Sequence, residues 1–520
     1  MAPPRTASVF AALLVSCTSA PRSVSITFPK GFLWSVSTAA EQSEGNNTTN
    51  DWYAFEGMGR VPPVGLADDM YDLYDEDFAT ARSMGCNAFR LTLEWARFFP
   101  KAPADPAHPT AAEMDQTAVA HYQAVLASLQ KHGLTPLVTL THYTLPVWVD
   151  NPAAYDGGVN AFTDSSLGGW TNPATAVAFG AFAGLMAQTY GTQVTYWLTE
   201  NEPEVDVIGG YLAGVLPPGL SDISLTEPSL PGDAGISGVI QNMIAGHADA
   251  YHAIKAAEPN AMVSIAHNTI AFDPITQNTG NVEAAQRVQA LYDHLYLDAV
   301  TTGVYDTGLV GAGDAGVAHA DWAQTLDYIG VNYYNHDAVV AQDGFLAPLN
   351  AVPCDPSFEQ GLPGVLQNLG CPAQGLPEAP GFTAVLVDYA QRYGLPILVT
   401  ENGGGGASGT GKAAYLVQNL LALHEALDAG VNVIGYSYWT LNRDYEWASG
   451  YDQSYGLYDV AGFKGPDGGL PPGSDGGPWA PSASTDETRV PLSPAPGVYA
   501  AIIDGGLTPA LLAEYPPDGG

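Results

Sequence analysis

Eight short apolar or β-branched runs recur along the chain, each closing on polar or aromatic residues. They are FLWSVSTA (32–39), NAFRLTLEW (87–95), LTPLVTLTHY (134–143), VTYWLTENEP (194–203), AMVSIAHN (261–268), DYIGVNYYN (327–335), LPILVTENG (395–403) and VIGYSYWTLN (433–442). Short, near-continuous hydrophobic runs fit strands covered on both faces, as in a parallel sheet. Helical patterns lie between them, such as DEDFATARSMG, TAVAHYQAVLASLQKHG and AAYLVQNLLALHEALDAG, the last two ending in Gly after an amphipathic face. Eight alternating strand–helix units predict an α/β chain folded as a single closed (β/α)8 TIM barrel spanning 25–515. A chain of 520 residues could hold several domains, but it carries neither an internal boundary nor a repeat other than this alternation.

The polar residues gather where the strands end: Glu94, His142, Asn201, Glu202, Asn332, Glu401 and Asn402. In a TIM barrel the C-terminal ends of the strands form the catalytic face, so the pattern itself argues for an enzyme. Three long strand-poor segments, 150–170, 216–236 and 341–380, are expected to form loops over that mouth. The Gly-, Pro- and Ser-rich tail, 462–497, is expected to wrap the barrel as a loop.

Charge narrows the ligand. The formal net charge is −38, with 54 Asp plus Glu against only 16 Lys plus Arg. Nucleic acids and anionic lipid surfaces are both held by basic residues, so neither is an expected partner; a neutral or cationic ligand is, and no protein partner is predicted. Residues 1–20 read as an export leader: Arg5 precedes a short apolar stretch, and Leu14-Val15-Ser16-Cys17 resembles a lipoprotein cleavage box. The chain is therefore expected to be exported to the periplasm or the medium, with Cys17 the residue that would carry a lipid anchor. Cys354 and Cys371 flank a Pro/Gly-rich stretch that a disulfide would tie down, while Cys86 reads as a buried thiol. No Cys or His has metal-ligand spacing with another, so no metal and no cofactor are predicted.

Two carboxylates carry the chemistry. TENEPE (199–204) places Glu200, Glu202 and Glu204 at alternate positions, on one face by strand periodicity. Glu204 is expected to be solvated, whereas Glu202 closes an apolar strand, a poorly hydrated setting of the kind a general acid uses. ILVTENGGGG (397–406) brings Glu401 to the end of the seventh strand, beside glycines that permit tight backbone turns. Two isolated carboxylates on strands four and seven of one barrel suit glycosidic cleavage. One protonates the leaving oxygen, and the other attacks the anomeric carbon or activates water.

With these motifs in hand, the chain resembles glycoside hydrolase family 1, the β-glucosidase and β-galactosidase family. The likeness runs in order from about Phe28 to Val460 through FPKGFLWSVSTAAEQSEG, NAFRLTLEWARFFP, THYTLP, TENEP, DYIGVNYYN, VTENG and GYSYWTLNRDYEWASGYDQSYGLYDV. The resemblance implies a retaining exo-β-glycosidase, most readily a β-glucosidase. Glu202 would be the acid/base and Glu401 the nucleophile, supported by Arg90, Tyr334 and Asn332. Gln42, His142, Asn201, Trp439, Glu446 and Trp447 match positions that hold the terminal sugar of a β-linked di- or oligosaccharide or a β-glucoside. A β-galactosidase, β-fucosidase or transglycosylase of the same family is the alternative. A silent carbohydrate-binding barrel would be expected to lack one carboxylate, and this chain has both.

The chain departs from the family pattern at Ser35, Glu41, Glu200, Arg443 and Tyr143-Thr144, the last pair standing where Trp-Asp is usual. Glu200 and Arg443 are expected to lie near each other and compensate in charge, since an unpaired charge facing the barrel interior is costly.

Overall fold

The computed structural model describes residues 25–155, 166–221, 225, 235–309, 316–355, 369–372, 376–406, 408–461 and 488–516. The eight expected segments form strands β1 (Leu33–Ser37), β2 (Ala88–Thr92), β3 (Thr135–Thr141), β4 (Tyr196–Asn201), β5 (Met262–Pro274), β6 (Ile329–Ala341), β7 (Ile397–Glu401) and β8 (Val433–Trp439). Each pairs in parallel with its neighbour in chain order, and β8 pairs with β1, so the sheet closes on itself as a TIM barrel.

Alternation along each strand separates two layers. On β2, Ala88 faces the barrel interior with Leu137, Leu198, Ala266, Tyr328 and Leu398. Its neighbour Phe89 packs outward, its ring 4.8 Å from that of Phe78 on helix Met70–Ser83. The apolar residues fill the lower barrel, which leaves the next inward positions, Arg90 among them, for the polar mouth. The helices begin and end where local chemistry requires. Helix Gln116–His132, for example, starts at Asp115, whose side chain accepts from the Thr117 and Ala118 amides, and stops at Gly133 with φ of 67°.

Two strands run further than expected. β5 and β6 stay paired from Ala266↔Gly330 to Pro274↔Val339, and Ala351–Pro353 adds antiparallel to the end of β6. The segment expected to be a loop from 341 therefore begins as sheet, and Cys354 and Cys371 form the disulfide just beyond it, with Cα atoms 5.4 Å apart. Cys86 is a buried thiol. The tail is likewise more than a loop: Arg489–Pro491 pairs antiparallel with Tyr458–Val460, and helix Ala495–Gly505 returns to the barrel, where the Tyr499 hydroxyl donates to the Ser35 carbonyl (2.7 Å). The leader 1–20, Cys17 and tail residues 462–487 lie outside the described residues.

Many acids are buried with few cations beside them, and this ties stability to pH. Burial pushes the carboxyls of Glu41, Glu200 and Asp206 well above their usual range, those of Glu94 and Asp293 up to about 7, and that of Asp337 up to about 8. Such a group keeps its proton in the folded chain at pH values where the unfolded chain has lost it. Its contribution to stability is thus complete below about pH 4 and is lost as pH rises through the folded value. His121, His142 and His247, pulled down by burial, act in the opposite sense but only below about pH 6.5. Lys412, lowered to about 8, also opposes the acids, but only above that pH. Melting temperature at fixed ionic strength should therefore fall between pH 6.5 and 8. The fall should persist at about 1 M salt, where the Debye length of roughly 3 Å removes surface repulsion; a flat or rising curve would contradict it.

Candidate active site

Glu401 ends β7 and is almost fully buried, at 3% exposure. Its Oε1 pairs with the Arg90 guanidinium, and its Oε2 accepts from the Tyr334 hydroxyl at 2.8 Å. Arg90, fully buried, is held in place by the rest of its fork: Nε donates to Thr139 Oγ1 (3.0 Å) and NH2 to Asn201 Oδ1 (2.6 Å). Burial pushes the Glu401 carboxyl up to about 7; Arg90 and Tyr334 pull it down and the nearby Glu202 pushes it up. The glycines after it serve close approach. A Cβ on Gly403 would lie 1.9 Å from the Trp439 carbonyl oxygen, so only glycine lets β7 leave the barrel against β8.

Glu202 stands just past the end of β4 with φ of 45°, a left-handed conformation that is rare for a residue with a side chain and that clusters at functional sites. Its hydrogen-bond partners are neutral. Oε1 accepts from the Asn268 and Asn332 amides (2.9 and 2.8 Å), and Oε2 accepts from the Tyr143 hydroxyl. Asn332 is in turn oriented by Thr400, whose hydroxyl donates to its Oδ1 at 2.7 Å. Asn332 and Glu401 are also register partners on β6 and β7, which brings the two carboxylates to one centre.

The remaining residues predicted to touch a ligand form one wall. The His142 ring lies nearly parallel to Trp439 (5.7 Å, 25°) and to Trp447 (5.8 Å, 18°). Glu446 Oε1 accepts from Trp439 Nε1 and its Oε2 from Gln42 Nε2, both at 3.5 Å, while Asn201 Nδ2 meets His142 Nε2 at 3.0 Å. Gln42 Oε1 and His142 Nδ1 are buried with no hydrogen-bond partner among the described residues. Leaving a buried polar atom unpaired costs free energy, so both atoms are suited to a ligand hydroxyl.

The glycosyl hydrolase family 1 model matches residues 24–465. The chain belongs to glycosyl hydrolase family 1. Among its relatives is a beta-galactosidase of Pyrococcus woesei, 30% identical over 498 residues, covering 83% of this chain and 92% of that protein. Another is beta-glucosidase 47 of Arabidopsis thaliana, 30% identical over 465 residues and covering 83% of this chain and 81% of that protein. Among solved structures, the beta-glycosidase from Pyrococcus horikoshii superimposes with a TM-score of 0.72 at 25% identity, over 95% of this chain and 98% of that one.

Against this family frame the structure revises three readings. Strict alternation puts Glu200 on the face of Glu202, but β4 shifts register against β5 between Leu198 and Asn201. Glu200 consequently turns to the Tyr296 hydroxyl, 2.6 Å away on helix Leu295–Thr302, whereas Asn201 and Glu202 face the mouth. Arg443 does not compensate it: Arg443 NH1 lies 3.6 Å from Asp459 and NH2 donates to the Tyr451 carbonyl. Nor is Glu204 a solvated loop acid, since it pairs with buried His267 at 2.6 Å. Asn402 holds structure rather than the site, donating to the Tyr333 carbonyl and accepting from Tyr436. Two side chains at the site were not foreseen. Asn268 ends the apolar run AMVSIAHN as the other polar residues end theirs, although β5 itself continues to Pro274; for the Tyr143 contact with Glu202 no sequence pattern gave notice.

Proposed function

We propose that the protein is a retaining exo-β-glycosidase, specifically a β-glucosidase that releases terminal non-reducing β-D-glucosyl residues. The observation that carries the assignment is the asymmetry between the two carboxylates. Glu401 faces a cation and a hydroxyl donor, the surroundings that favour an anionic nucleophile. The hydrogen-bond donors to Glu202 are two amides and a phenol, all neutral, with no cation among them. In this reading Glu401 attacks the anomeric carbon while Glu202 protonates the departing oxygen. Glu202, now a base, then activates water to cleave the glycosyl ester on Glu401.

Gln42, His142, Asn201, Glu446 and the indoles of Trp439 and Trp447 would bind the sugar hydroxyls and the apolar face of its ring. The beta-galactosidase relative at 30% identity keeps a galactosidase as the second reading, and rates on a panel of nitrophenyl glycosides separate the two. The Cys354–Cys371 disulfide supports an exported protein, because such bonds persist in oxidising compartments; intact mass of the full-length product would tell whether Cys17 carries a lipid.

Incubation with an activated 2-deoxy-2-fluoro-β-glucoside should inactivate the enzyme and add one fluoroglucosyl unit to the peptide that contains Glu401, read by mass spectrometry of a digest. Label on a different residue, or no label in an enzyme that still turns over substrate, would sink the assignment.

A further inference from the structure

We propose that Tyr143 is the positioning residue of the acid/base carboxyl, fixing the plane of Glu202 and favouring its carboxylate form in the second half of the reaction. The inference rests on the roles assigned above to Glu202 and Glu401. Tyr143 follows His142 just past the end of β3, and its φ of 67° turns the ring across the mouth instead of continuing the strand. The ring is buried, at 8% exposure, packed edge-on against His142 (5.2 Å, 81°) and Trp447 (4.8 Å, 70°), two members of the ligand wall. Its hydroxyl donates to Glu202 Oε2.

The need for such a donor follows from the other two. Asn268 and Asn332 both donate to Oε1, so they tether one oxygen and leave the terminal torsion of the side chain to be set by Oε2. Torsions of that kind are broad and poorly self-determined. Among the described residues, Tyr143 supplies the hydrogen bond that constrains the second oxygen, which is the one left to exchange a proton with the leaving group or with water. Burial beside Glu202 and Glu401 also keeps the phenol in its neutral form, so at working pH it remains a donor. A donor to the charged form of a carboxyl favours that form. Tyr143 thus assists the base step and mildly opposes the acid step. The chain has tyrosine here where the family pattern has tryptophan, and the phenol hydroxyl makes the contact.

The test uses the full-length enzyme with Tyr143→Phe, together with 3,5-difluorotyrosine placed at position 143. The first removes the donor and keeps the ring; the second keeps the ring and strengthens the donor. For an activated aryl glucoside, whose departure needs little acid assistance, Tyr143→Phe should slow hydrolysis of the glycosyl-enzyme, lowering kcat roughly 10-fold or more, the size expected for a hydrogen bond to a charged group. KM should fall with it as the covalent intermediate accumulates. The alkaline limb of the kcat/KM profile should move to higher pH in Tyr143→Phe and to lower pH in the difluorotyrosine enzyme.

Opposite displacement of that limb by the two changes supports the proposal. An unmoved limb in both, with Glu401 still labelled by the fluoroglucoside, overturns it, whatever the change in kcat. Loss of labelling in the unmodified enzyme would instead overturn the roles of the two carboxylates.

Discussion

Replacing Glu401 with glycine should abolish hydrolysis of β-glucosides, with a loss on the order of 10^4-fold or more, and added azide or formate should restore turnover of an activated aryl glucoside. The loss follows from removing the group that forms the covalent intermediate. The rescue follows from what is left behind. Arg90 keeps its bonds to Thr139, the Thr400 carbonyl and Asn201, so the guanidinium stays in place. The Tyr334 hydroxyl stays on the other side of the vacated space. A buried cation and a hydroxyl donor around a cavity the size of a carboxylate make an anion site. A small anion bound there can attack the anomeric carbon from the face Glu401 used. Hydrolysis that persisted at near wild-type rate without an additive would show that Glu401 is not the nucleophile.

How far the site could be read in advance depended on the reach of each pattern. Strand ends are local, so Glu202, Glu401, Asn201, His142 and Asn332 were visible as polar residues closing apolar runs, and the barrel then brought them together. Arg90 was supplied by the family resemblance, and the structure gives its charge, set inside the apolar run NAFRLTLEW, the buried partner it needs in Glu401. The errors arose where a non-local event broke a local period. The register shift in β4 moved Glu200 to the outer helices, and no single-strand pattern marks such a shift. Arg443 found Asp459 within its own closing loop. The extension of β5 and β6 past the rim depended on the two strands stabilising each other, since neither AFDP nor HDAVVA reads as a buried strand alone. Tyr143 reached Glu202 through a left-handed turn, a conformation that a tyrosine does not announce.

Replacing Glu202 with alanine should give a loss that depends on the leaving group, and this dependence separates its role from that of Glu401. For a glucoside with a poor leaving group, formation of the glycosyl-enzyme should slow by about 10^2- to 10^4-fold, the usual worth of a general acid. A dinitrophenyl glucoside, whose phenolate leaves unaided, should still glycosylate Glu401 at close to the original rate. The base step is lost in both cases, so with the dinitrophenyl glucoside, where formation stays fast, the intermediate should accumulate. The vacated space is lined by three donors, from Asn268, Asn332 and Tyr143, each of which loses its bond to Glu202, while Asn332 Nδ2 keeps its second bond, to Asn201 Oδ1. Unsatisfied buried donors favour an anion in their midst, so azide should bind there as well and attack the glycosyl-enzyme from the face where water normally enters. The stereochemistry then discriminates. With Glu401 replaced, azide displaces the leaving group once and the product is the α-glucosyl azide. With Glu202 replaced, azide completes the second of two displacements and the product is the β-glucosyl azide. Proton coupling constants of the two products assign both carboxylates together, and the same anomer from both variants would rule out the division of labour that their surroundings imply.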